Sequence, residues 1–86
     1  VKLTWVIEGQ GAGEATSDSV DDVAAELTHA VRQAYDDLDT QTLAHIMINK
    51  VAPLRMELVT TGRFEVEHGR TWELRREGIS VTLSPN

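Results

Sequence analysis

The residues of this chain with chemistry to offer are three histidines, a glycine-rich pentapeptide, a group of arginines and a strongly acidic segment. His29, His45 and His68 lie too far apart for the short intervals of a zinc site, and a chain without cysteine has no thiolate ligand or nucleophile. Metal and cofactor are therefore not expected. Serine, histidine and aspartate are all present, yet no nucleophile-elbow pattern surrounds Ser17, Ser19, Ser80 or Ser84. Gly9-Gln10-Gly11-Ala12-Gly13 follows an apolar alternation and invites comparison with a dinucleotide loop. That chemistry needs the glycines to turn directly into a helix whose N-terminus receives phosphate. Here polar residues intervene, Glu14 and Asp18 among them, and the segment reads as a flexible connector. Arg70, Arg75 and Arg76 could grip a phosphate or a carboxylate, but Glu73 and Glu77 flank them as in an ordinary solvated cluster.

The acidic segment is the most distinctive. Residues 14–39 hold Glu14, Asp18, Asp21, Asp22, Glu26, Asp36, Asp37 and Asp39 against Arg32 alone, a net of −7, while the rest of the chain is +1 and the whole −6. Placed at about 100° per residue, Val20, Val23, Ala24, Leu27, Val31 and Leu38 gather on one side of a helix over 20–38. Asp18, Asp21, Asp22, Glu26, His29, Arg32, Gln33, Asp36 and Asp37 gather on the other. A phosphate backbone would be repelled from that face, whereas a basic groove on a protein would be attracted. His29 lies in its middle, where the alternative to a plain solvated position is a pH-sensitive contact.

The elements that must position these residues follow from periodicity. Leu3, Trp5 and Ile7 alternate with polar residues as a first strand. Ser19 is placed to cap the acidic helix, with Asp22 completing a capping box. Asp36, Asp37 and Asp39 would crowd the negative end of a continuing helix, so Asp39 or Thr40 is expected to cap a second one. Leu43, Ala44, Ile46, Met47, Ile48 and Val51 give this second helix its apolar side, and Pro53 is expected to end it. One long kinked helix is the rival reading.

From Leu54 onward the pattern predicts a four-stranded meander: Leu54–Leu58, Phe64–Val66, Trp72–Leu74 and Ile79–Leu83, with turns at Gly62, Gly69 and Glu77-Gly78. A two-residue loop at Glu77-Gly78 pairs Arg76 with Ile79, Leu74 with Val81 and Trp72 with Leu83, which keeps the apolar residues on one face. Arg55, Glu57, Arg63, Glu65, Glu67, Glu73 and Arg75 would then line the wet face. Trp5, Phe64 and Trp72 all fall on the core side, which disfavours RNA stacking on the sheet.

Ile79, Ser80, Val81, Thr82 and Leu83 form a strand without charge. Left open at an edge it would invite aggregation, so it must be covered. The first strand is expected to return and pair with it, and docking of another chain is the alternative.

The chain thus reads as one α+β domain over residues 1–86: a two-layer sandwich in the order strand, helix, helix and meander, helices on one face of the sheet. With 26 % charged and 41 % apolar residues, no apolar run of the ~18 residues that span a membrane and no leader-like start, it is expected in the cytoplasm. The expected function is a small non-catalytic interaction or regulatory module, not an enzyme. Its partner would be a protein or a second copy, taken through the acidic helix face or the uncharged strand, and not nucleic acid, membrane or a small molecule. The alternatives are an inhibitor imitating nucleic-acid phosphates, a structural subunit, and a ligand-binding or enzymatic domain with a pocket near Gly9–Gly13.

Overall fold

Leu3, Trp5 and Ile7 are buried and Lys2, Thr4 and Val6 face outward, as their alternation requires of strand β1 (Lys2–Ile7) in the computed structural model, which describes residues 1–85. A tight turn with Gly9 at φ +77 leads into β2 (Gly11–Thr16), which runs back along β1 and pairs Trp5 with Gly13. Helix α1 (Val20–Ala34) follows, then a second helical region α2 over residues 40–67, and finally strands β3 (Trp72–Arg76) and β4 (Ile79–Ser84). The sheet is antiparallel throughout in the order β2-β1-β4-β3. The α+β class and the packing of helices against a four-stranded antiparallel sheet are as the sequence implies, whereas the order of elements differs.

The last hairpin holds the register that parity demands. Trp72 pairs with Leu83, Leu74 with Val81 and Arg76 with Ile79, around Glu77 at φ +47 and Gly78 at φ +87. Both positive φ values are those of the hairpin turn that follows strand twist. β1 returns to pair with the uncharged strand, Leu3 opposite Leu83 and Ile7 opposite Ile79. β4 therefore has both edges filled, and Ile79, Ser80, Val81, Thr82 and Leu83 offer no free backbone to another chain.

The meander expected over 54–67 is not formed. These residues continue α2, which alternates helical turns (Thr40–Ile46, Ala52–Glu57, Arg63–Glu67) with wider π-helical segments (Met47–Val51, Leu58–Gly62). The misleading signal is the shared spacing of Leu54 and Leu58, which suits a strand at i, i+4 as well as a helix. Met56 decides between them: it is 63 % exposed while Leu54 and Leu58 are fully buried. Pro53 does not end the helix either. The Ala52 N–H reaches back to Met47 O, five residues away, and this widened turn accommodates a proline that lacks its own donor. Asn49 Nδ2 adds a bond to His45 O in the same segment.

Gly62, expected at a turn, is helical and buried against Trp72. Gly69 is a helix terminator. Its N–H donates to Val66 O and that of Arg70 to Glu65 O, with φ +76 at Gly69, the left-handed cap that favours glycine.

α1 packs on β1 and β2, and the later part of α2 packs on α1 and β3. Between helices and sheet lie Leu3, Ile7, Leu27, Val31, Leu54, Leu58, Val81 and Leu83. Both tryptophans are buried, but Phe64 is 53 % exposed on α2, contrary to its expected place in the core. Of the charged residues assigned to the wet face, only Glu73 and Arg75 are on the sheet; Arg55, Glu57, Arg63, Glu65 and Glu67 belong to α2.

Candidate functional site

α1 ends at Ala34, short of the Leu38 expected, so Asp36 and Asp37 fall in the turn after it and not in its last helical turn, where they would face the negative end of the helix. Ser19 occupies the capping position but its hydroxyl makes no cap bond. Ser17 acts instead: its Oγ accepts from the Ser19 N–H at 3.2 Å and donates to Asp22 Oδ2 at 2.9 Å. Asp39 does cap α2, accepting from the Thr42 N–H at 2.7 Å and the Thr42 hydroxyl at 3.0 Å. These two bonds hold the Asp39 carboxyl below the usual range.

The acidic face forms as the periodicity implies. Asp22, Glu26, His29 and Gln33 are exposed along α1, with Asp18 exposed before it and Asp36 after it. Asp21 leaves this group, meeting Arg63 Nη2 at 2.7 Å and tying α1 to α2.

Beside this stripe lies what sequence reasoning missed. The segment taken for a flexible connector is β2, the outermost strand on this side of the sheet. Gly13 and Ala15 turn inward and Glu14 and Thr16 outward, an alternation whose inner residues are too small to register as hydrophobic. Trp5 supplies the missing bulk. A methyl group added at Gly13 would lie 2.8 Å from Cε2, Cζ2 and Nε1 of the Trp5 ring. The indole of β1 thus roofs the glycine of β2.

The outer edge of β2 and the flank of α1 enclose two open grooves. One is bordered by Ala15, Thr16, Ser17, Asp22 and Glu26. The other, nearer the β1–β2 turn, is bordered by Gln10, Gly11, Ala12, Ala30, Gln33 and Ala34 with the edge of Trp5.

The two edges of the sheet are guarded unequally. β3 carries Glu73, Arg75 and Arg76 within five residues. β2 has only Glu14, which meets Lys2 Nζ at 3.3 Å. Charges on an edge are the usual defence against strand addition, and β2 has little of it.

No family model, curated protein or solved structure matches this chain. Its surfaces therefore speak for themselves.

The remaining chemistry-bearing residues are dispersed. Among the described residues no three His, Asp or Glu side chains converge as metal ligands would. His45 Nδ1 meets Asn49 Nδ2 at 3.0 Å, and His68 Nδ1 meets Phe64 O at 2.8 Å at the end of α2, not on a strand. The arginine cluster separates: Arg70 grips Glu65 through two bonds of 2.6 and 3.2 Å, while Arg75 Nε donates to Ser80 Oγ. That grip holds the Glu65 carboxyl below its usual range and raises Arg70. No helix among the described residues is long and apolar enough to cross a membrane.

Proposed function

We propose that this domain is a non-catalytic protein-binding module that takes a basic, extended segment of a partner as an added strand on β2. The main chain of the incoming segment completes the open edge, and Asp22 and Glu26 of α1 receive its cationic side chains. The observation that carries this reading is the juxtaposition of a weakly guarded strand edge with the acidic flank of a helix.

Charge selects the class of partner. Pairing of β2 with β2 of a second copy would bring two acidic α1 flanks together, and nucleic-acid phosphates would meet the same repulsion. A cationic strand gains on both counts. Its cysteine-free composition suits a cytoplasmic setting, which belongs to the same proposal.

The test uses a synthetic ten-residue peptide alternating lysine with valine, and a glutamate–valine peptide as control. The lysine peptide should bind, and its affinity should fall steeply between about 0.05 M and about 0.5 M salt. Asp22→Lys with Glu26→Lys should weaken it further at low salt. Equal binding of both peptides, or binding indifferent to salt, contradicts the proposal.

A further inference from the structure

We infer that α2 is a self-association helix, along which two copies pair side by side, parallel and in register, through its outward face. This surface is separate from β2 and α1, and the inference stands or falls independently of the function proposed above.

The outward face of α2 carries a line of large exposed apolar side chains. Ile48 is 67 % exposed, Met56 63 % and Phe64 53 %, at intervals of eight residues. Exposed Ala52 and Thr60 fill the intervals between them, and exposed Ala44 lies one turn before Ile48. An ordinary helix would carry residues spaced by four gradually around its axis. The two π-helical segments slow that rotation. The inward line Val51, Leu54, Leu58, Gly62 and Val66 therefore keeps facing the core, and a second line of four-residue spacing keeps facing outward. In a chain with 26 % charged residues, this outer line holds none.

α2 is also longer than the body that it covers. Residues 40–67 extend about 42 Å at 1.5 Å per residue, which matches the 40 Å long axis of the molecule, against 19 Å in the other two directions. Its first turns, Thr40–Ile46, bury no residue. Leu43, Ile46 and Met47 are only partly covered there.

The flanks of the outer line determine the orientation. Arg55 lies two turns before Arg63, on the flank that faces α1 through Asp21. Glu57 lies two turns before Glu65, on the flank that turns to Arg70. Arg55 and Glu57 form no ion pair within the chain among the described residues. A two-fold axis parallel to the helices sets the arginine flank of one copy beside the glutamate flank of the other. An antiparallel pair would set arginine beside arginine and glutamate beside glutamate, so charge favours the parallel arrangement. A strip about 42 Å long and about 10 Å wide buries roughly 400 Å² per copy, which places the dimer in the small, reversible class.

Because the chain contains no cysteine, single cysteines report the geometry directly. Ala52→Cys and Thr60→Cys should each form a disulfide-linked dimer with its own kind under mild oxidation. Sedimentation of the unaltered protein should show a concentration-dependent dimer, and Met56→Glu should abolish it without changing the circular dichroism spectrum. Cross-linking only when the two cysteine variants are mixed would establish an antiparallel pair and overturn the inference. So would a monomer at every concentration up to about 1 mM, the weak end of measurable association.

Discussion

Gly62 of α2 lies directly against the indole of Trp72: a methyl group there would sit 3.0 Å from Cε3 and 3.2 Å from Cδ2, and 3.3 Å from Leu83 Cδ2. The close approach of α2 to β3 and β4 depends on that missing side chain. Gly62→Val should therefore lose about 1–3 kcal/mol through overpacking. Gly62→Ala sets a gain in helix propensity of about 1 kcal/mol against a milder clash and should change stability far less. Urea denaturation followed by tryptophan fluorescence distinguishes the two, and equal stability for valine and wild type would refute the packing argument.

The same logic applies at the opposite side of the sheet. Gly13→Val must displace the Trp5 ring, because its Cβ would fall 2.8 Å from three ring atoms. The expected cost is again about 1–3 kcal/mol. A displaced Trp5, now only 7 % exposed, should also red-shift the emission of the folded variant. A variant with wild-type emission and stability would mean that β2 is not held beneath the indole.

Acid should loosen both ends of α2. Asp39 and Glu65 have carboxyl groups held below their usual range, by Thr42 and by Arg70 respectively. A depressed carboxyl contributes stability above its unfolded-state value, near 4, that disappears as pH falls through the lower folded-state value. Amide exchange in the first and last turns of α2 should thus quicken as pH is lowered beneath about 4, after correction for intrinsic rates. Arg70→Ala should return the Glu65 titration, followed by carboxyl NMR, towards the ordinary glutamate range. No change on removing Arg70 would show that another group sets it.

Much of this architecture is legible in the residues. The register of β3 against β4 follows from parity around Glu77-Gly78, and the return of β1 follows from the need to cover an uncharged strand. The cap at Asp39 follows from the charges at helix ends, although α1 stops at Ala34 and not near Leu38. What misleads is ambiguity at small and shared spacings. Leu54 and Leu58 satisfy two periods at once, and glycines at 62 and 69 serve a helix where hairpin turns were expected. β2 stays hidden because Gly13 and Ala15 carry their inward role with almost no side chain.

Those ambiguities explain the shift in the site as well. The polar residues Asp22, Glu26, His29 and Gln33 lie together on α1 as their spacing demands. The strand edge beside them is β2 and not Ile79–Leu83, which β1 and β3 enclose. Choosing the edge requires knowing which strand is outermost, and that is a property of the whole sheet.

The central claim is that the open edge of β2 is where a basic segment docks. Hydrogen exchange resolved by residue, with and without the lysine–valine peptide, tests this most directly. Strand addition predicts slowed exchange at alternate amides within Gly11–Thr16 and unchanged rates in β3. Protection that appears in β3, or none anywhere in β2 at saturating peptide, would contradict it.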